Sequence, residues 1–350
     1  MSLLKTSLSI VLFGMVFSCS KNEDPTIIPM QVSTVTNIYT CGTEFNGTKN
    51  VAKFWKNGTP TSLTDGTKNA VAKSLVVVGN DVYVAGKEKN GMFDVVKIWK
   101  NGIATNLTDG TKYCDAFALE VVGSDVYVAG YEYNGTTNDV AKYWKNGVAT
   151  SLTDGTKYAY ANDIKVIGND VYVAGDEHNG TNGVAKIWKN GIATNLTNGT
   201  KNAVAYALTV AGSDIYVAGY EKNGPAFSDK EIAKYWKNGI VTSLTDGTKS
   251  AMALDLTVVG NDVYVVGFES NGTKNVAKFR KNGISTNLTD GTQSATASAL
   301  TIIGTDVYVA GWENTTTQTV AKYWKNGIAT NIITNANLGS GANSIFITTN

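Results

Sequence analysis

Hydrophobic and polar positions along this chain recur on a clock of about 44 residues. The apolar string VYVAG and its variants stands at Tyr39, Tyr83, Tyr127, Tyr172, Tyr216, Tyr264 and Tyr308, at spacings of 44, 44, 45, 44, 48 and 44. A second string, AKYWKNG and its relatives, keeps the same time at Trp55, Trp99, Trp144, Trp188, Trp236 and Trp324, with Arg280 in the sixth copy alone. Within one unit, residues 119–153, the runs LEVVG, VYVAGYE, VAKYW and VATSLT are separated by GSD, NGT and KNG and closed by DGT. Asn-Gly and related pairs supply the positive φ angles of tight hairpins. Each unit is therefore predicted to be an antiparallel meander of four strands.

The strands carry apolar residues on both faces, as Val126, Tyr127, Val128 and Ala129 show, so each small sheet needs cover on both sides. A four-stranded unit repeated at 40 to 50 residues meets that need by packing radially as the blade of a propeller. The chain starts midway through a unit, near Ile38-Tyr39-Thr40-Cys41, and ends in GANSIFITTN, which aligns with ATASALTIIG at 295–304. The predicted fold is thus all-β: a seven-bladed β-propeller of four-stranded antiparallel blades, the ring closed by the C-terminal strand pairing in the first blade. Burial of Ile345, Phe346 and Ile347 is expected to contribute roughly 1.5–3 kcal/mol per side chain. The order of VYVAG followed by AKYW resembles kelch repeats across residues 31–350. Ala-Gly, as at Ala129-Gly130, replaces the kelch double glycine, and the Trp stands one strand earlier.

The N-terminus departs from the repeat. Lys5 and the apolar run Leu8 to Phe17, too short to span a bilayer, form a signal peptide over 1–18. The sequence Val16-Phe17-Ser18-Cys19 resembles the lipobox of bacterial lipoproteins, which implies cleavage before Cys19 and lipid attachment there. Residues 19–30, with Pro25 and Pro29, read as a flexible tether whose acidic pair is similar to the surface-export signals of Bacteroidota lipoproteins. The resemblance implies an exported protein held on the outer membrane by its lipid, with the propeller over 31–350. Cys41 and Cys114 fall in non-neighbouring units at positions otherwise filled by alanine, so no disulfide is expected.

With 30 basic and 29 acidic residues, the chain shows no electrostatic footprint for nucleic acid. His178 is the one histidine, and no Cys or His cluster has metal-ligand spacing. No metal, cofactor or catalytic residue is assigned, and the chain is expected to be a monomer and not an enzyme.

Seven Glu residues close the second strands, and seven Lys residues follow on the third. Glu88 with Lys97, Glu132 with Lys142, Glu177 with Lys186, Glu269 with Lys278 and Glu313 with Lys322 are expected to be structural cross-strand ion pairs. The DGT segments, with Asp65, Asp109, Asp154, Asp246 and Asp290, read as turns, since they lack the alternating ligands of a calcium loop. What differs between near-identical copies is more informative, because structural demands are shared while ligand demands are local. Two loops, fourth strand to first and second to third, hold this variation. Their candidate ligand-binding residues are Phe117, Tyr131, Tyr133, Tyr160, Tyr206, Tyr220, Phe227, Phe268 and Trp312. Tyr and Trp combine apolar area with a polar tip, as sugar stacking or a protein hot spot requires. The expected function is a non-enzymatic cell-surface module that binds an extracellular glycan or polypeptide. A scaffold acting through the KNG turns and a weak glycosidase using two Glu carboxylates are the alternatives.

Overall fold

A computed structural model describes residues 36–226, 228–332 and 339–349. The signal segment, Cys19, the tether and Phe227 lie outside them. The described residues form seven four-stranded antiparallel sheets, and no helix. Blade 3 is representative, running outward from the axis as Cys114–Val122, Asp125–Tyr133, Asp139–Lys145 and Val148–Ser151. Blades 2, 4, 5, 6 and 7 repeat it from Ala70, Ala159, Ala203, Ala251 and Ala295.

Blade 1 is built from both ends of the chain. Its innermost strand is Ser340–Thr349, paired with Thr36–Phe45, which is followed by Asn50–Lys56 and Thr59–Ser62. Ile345 and Ile347 are buried there against Tyr308 and Ala310 of blade 7. The last strand therefore supplies blade 1 with its axial member, and the ring closes.

The core is divided among the seams between neighbouring blades. Tyr127, Ala129 and Ala141 of blade 3 pack against Ala159, Ile164 and Trp188 of blade 4, and the other seams repeat this pattern. Six third-strand tryptophans are almost fully buried in these seams, and Arg280 takes the same place in blade 6 at 1% exposure. Cys41 and Cys114 are buried free thiols.

Every innermost strand carries one β-bulge at the same place. Lys73, Phe117, Asn162, Tyr206, Leu254, Ser298 and Asn343 are the extra residues, and all seven line the axial cavity. A bulge re-aims the side chain it inserts. It also brings the inner strand close to the Gly of Ala-Gly: a Cβ on Gly130 would lie 2.0 Å from the Asp115 carbonyl oxygen. The repeated glycine is thus a steric requirement of the bulge.

Candidate functional site

Antiparallel order puts the first-to-second and third-to-fourth turns on one face of the ring and the other two connections on the opposite face. On this turn face, each KNG asparagine holds φ near 50°. Its Oδ1 accepts the main-chain N–H at the start of the second strand, as from Val126 at 2.8 Å, in all seven blades. In six blades its Nδ2 donates to an Asp that also pairs with the KNG lysine at 2.7–2.8 Å. Backbone satisfaction accounts for the repeated turn.

The loop face has a repeated frame as well. Asp65, Asp109, Asp154, Asp246 and Asp290, and Asn198 in the remaining copy, accept from the N–H and hydroxyl of the threonine two residues on. Those hydrogen bonds hold the five carboxyls below their usual range. Across the second and third strands, Lys97 stands 2.6 Å from Glu88, Lys142 2.6 Å from Glu132 and Lys186 2.6 Å from Glu177. Lys234 reaches Glu221, and Lys322 reaches Glu313, at 2.5 Å. In blade 6 the expected pair of Glu269 with Lys278 is present but long. There Arg280 takes Glu269 at 2.8 Å, because its guanidinium rises from the buried Trp position, and Lys278 stands back at 3.6 Å.

Within this frame the seams differ. Each is bounded by the residue after the repeated glycine, a residue near the start of the third strand, the bulged residue, and a side chain from the next blade's inner strand. Between blades 2 and 3, Lys87 lies 2.8 Å from Asp115 and 3.4 Å from Asp94. Between blades 3 and 4, Tyr131 sits 5.9 Å from Phe117 and 5.1 Å from Tyr160, and the Tyr160 hydroxyl donates to Asp139 at 3.0 Å. Burial raises the Asp139 carboxyl despite that bond. At the next seam Asp176 faces Asn162 and Gly183, with its carboxyl pushed up to about 7 by burial. In blade 5 the Tyr206 and Tyr220 rings lie 5.9 Å apart, tilted at 40°, and Tyr206 reaches Met252 of blade 6.

The structure therefore gathers Phe117, Tyr131 and Tyr160 into one group and Tyr206 and Tyr220 into another. Tyr220 is buried, and its hydroxyl accepts from Asn202. Tyr133 is half-buried, 6.4 Å from the exposed Tyr113. Phe268 is half-buried opposite Met252. Trp312 stands apart from both groups, at the seam where the ring closes. There the next blade contributes Gly341, in the place of Val71, Asp115, Tyr160, Val204, Met252 and Thr296 elsewhere. A Cβ on Gly341 would meet nothing within 4 Å. A cleft of about 510 Å³ opens at that point, lined by Trp312, Phe45, Thr43, Asn50, Asn314, Thr319 and Asn343 among others. Among the described residues, none of those lining it is ionisable.

The axial cavity, about 540 Å³, is different in kind. Six of the main-chain N–H groups just beyond the bulge are capped by Ser or Asp side chains. Ser344 caps Leu75, and Ser74 caps Leu119. Asp163 caps Ile164 with one oxygen and Leu208 with the other, while Asp255 serves Leu256 and Leu300. The two aspartates stand beside the alanines Ala118 and Ala207, which have no side-chain acceptor to offer. Burial raises both carboxyls, that of Asp255 to about 7. Lys165, 3.0 Å from Glu120, is raised because Asp163 and Glu120 more than offset its burial. These groups hold the inner ring together.

Sequence reasoning passed over Asp176, Asp139 and the closure cleft. The available signal was a departure from the repeat: Asp176 is the one acid at a position otherwise filled by Thr43, Lys87, Tyr131, Tyr220, Phe268 and Trp312.

No family model and no curated protein sequence matches this chain. Among solved structures it is similar to the Pyrococcus horikoshii acylaminoacyl peptidase, with a TM-score of 0.51 and 10% identity over 85% of this chain and 50% of that one. It is also similar to the β-propeller domain of the Trilobed protease from Pyrococcus furiosus (TM-score 0.46, 9% identity, 76% and 86% covered). Kuenenia stuttgartiensis hydrazine synthase is a third (TM-score 0.46, 10% identity, 88% and 46% covered). The likeness is one of fold, and the chain spans half the length of the acylaminoacyl peptidase. It corrects the expectation that this protein is not an enzyme: a chain that shares the fold over half its length is a peptidase, so the fold does not exclude one. That expectation rested on the lack of a catalytic constellation within the ring, which speaks only for the ring's own residues.

Proposed function

We propose that this propeller is a recognition module that binds a neutral glycan in the closure cleft, with the Trp312 ring as its platform. The observation that carries this reading is the pairing of Trp312 with Gly341. At the other six seams a side chain from the next blade stands where Gly341 leaves open space. Around the indole the cleft offers asparagine amides and threonine hydroxyls and no charge. A pyranose presents an apolar C–H face and a rim of hydroxyls, which suits an aromatic surface edged by neutral donors and acceptors. Binding residues on loops held by a rigid scaffold are the usual arrangement for such a task. In this reading Cys19 carries a lipid and the propeller works outside the cell, supported by the lipobox-like Val16-Phe17-Ser18-Cys19.

A glycan array probed with the wild-type propeller, Trp312→Ala and Gly341→Val tests this. Neutral oligosaccharides are expected among the hits, with affinity reduced at least tenfold in both variants. Hits that both variants retain, or hits confined to charged glycans, would overturn the proposal.

A further inference from the structure

The seam between blades 4 and 5 holds a buried carboxylate that no cation among the described residues meets. Asp176 is 8% exposed. Its one hydrogen bond comes from Asn162 Nδ2 to Oδ1 at 3.3 Å, and among the described residues Oδ2 has no partner. Burying an ionised carboxylate costs several kcal/mol unless a cation or several donors compensate it. Among the described residues only the long Asn162 bond does so. Three acceptors instead converge above Gly183: Asn202 Oδ1, the Ala203 carbonyl oxygen and Asp176 Oδ2 lie 3.0, 3.1 and 3.5 Å from the point where a Cβ on that glycine would stand. Asn202 Oδ1 already accepts the Gly183 N–H at 2.8 Å, which leaves Asp176 Oδ2 as the acceptor that no described residue serves.

The same ring shows what serves such an acceptor. Two blades back, the corresponding layer holds the Lys87 ammonium between Asp115 and Asp94. There the carboxylates come from the third strand and from the next blade. In the blade 4 seam Gly183 and Val204 take those positions, and the acid stands on the second strand instead. An ammonium is compact, carries three donors and is strongly hydrated, so it is held only where oxygens replace its water. Aromatic faces beside it add cation–π attraction, and the mutually tilted Tyr206 and Tyr220 of blade 5, both close enough to feel the Asp176 charge, supply aromatic surface near this seam.

We propose that the Asp176 seam is a subsite for a protonated primary amine, supplied by an amino sugar or by a lysine side chain. The low exposure of Asp176 restricts entry to a slim –CH–NH₃⁺ tip, and the single carboxylate matches a single positive charge. The subsite stands apart from the Trp312 cleft, so either can fail without the other.

Isothermal titration of the full chain with methylammonium, glucosamine and Nα-acetyl-lysine methylamide tests the assignment, with N-acetylglucosamine and calcium as controls. Wild type is expected to bind methylammonium and at least one of the larger amines, and neither control. The preferred larger amine identifies the source. Asp176→Asn keeps the shape and removes the charge, and amine affinity is expected to fall at least tenfold. Gly183→Ala places a methyl group among the three oxygens, keeps the charge and should weaken binding by a similar factor. Thermal melts establish that both variants fold. No amine binding by wild type, equal binding by both folded variants, or a preference for calcium would overturn the proposal.

Discussion

The two faces of the ring are made from the same seven repeats and obey different rules. On the turn face each KNG asparagine does the same two jobs, and the single departure, Asn37 in place of an aspartate, still accepts the Asn57 amide at 3.0 Å. On the loop face the frame repeats, but the side chains it presents run from Lys87 through Tyr131 and Asp176 to Trp312. Repetition thus marks positions where the backbone makes a demand. Variation marks positions where it makes none, which is where a ligand is free to make its own.

The largest effect that tests this contrast comes from a repeated glycine. Gly130→Ala would place a methyl carbon 2.0 Å from the Asp115 carbonyl oxygen, a contact only strand movement relieves. Overpacking usually costs 1–3 kcal/mol, and with backbone on the other side we expect about 3 kcal/mol or more. Urea unfolding measures it. A loss below about 1 kcal/mol would mean that the bulge tolerates a side chain and that the repeated glycine has another cause.

Arg280 is the exception that keeps variation from being equated with function. It replaces a buried Trp, its Nε and Nη1 find no partner, and burial lowers its pKa, opposed by Glu269. Tyr216, Ala218 and Ala233 of blade 5, which pack against blade 6, are of the kinds that flank the tryptophans at other seams. Arg280→Trp is therefore expected to stabilise the ring by about 1–2 kcal/mol, because it exchanges two unpaired guanidinium donors for one indole N–H of the kind Trp55, Trp99 and Trp324 also leave unpaired. Lys278 would be released to close on Glu269, as Lys97, Lys142, Lys186 and Lys322 close on their own glutamates. A variant less stable than wild type in the same urea titration would show that the guanidinium has a role the seam does not reveal.

Asp176 gives a pH-dependent test of the loop face. Its folded carboxyl lies near 7, above about 3.9 for an unfolded aspartate. A raised carboxyl binds its proton more tightly in the folded state, so its contribution to stability is complete below about pH 4 and is lost as pH rises through about 7. Asp176→Asn abolishes that loss. The variant's advantage should grow from about pH 4 to 7 and then level at about 1–2 kcal/mol. Asp255, shifted in the same direction, remains in both proteins and cancels in the difference. Parallel pH–stability curves would show that Asp176 titrates normally.

The architecture was legible because a strong period, turn pairs and the C-terminal echo of an inner strand all point to one ring. The candidate aromatics were legible as departures from the repeat, but their grouping was not. Whether Tyr131 meets Tyr160 depends on where the bulge falls, and an inner strand such as Ala-Tyr-Ala-Asn-Asp gives no local sign that its fourth residue is the inserted one. Asp176 escaped because its position was read for aromatic residues alone. The closure cleft escaped because a missing side chain becomes informative only once its neighbour across the seam is known.

The smallest expected effect on stability is also the sharpest contrast, because it concerns another glycine. Gly341 has no positive φ and nothing within 4 Å of its Cβ direction, whereas Gly130 is hemmed in by backbone. Val71 and Val204 show that this strand position accepts valine at other seams. Gly341→Val should therefore leave stability within about 0.5 kcal/mol of wild type, as surface substitutions usually do. Its effect should appear instead in the cleft, where the added side chain stands in the open space beside Trp312. A substitution silent in urea and damaging to glycan binding separates a position the fold leaves open from one the fold requires. If Gly341→Val were as destabilising as Gly130→Ala, the seam would be under the same constraint as the bulges, and its openness would be no sign of a ligand.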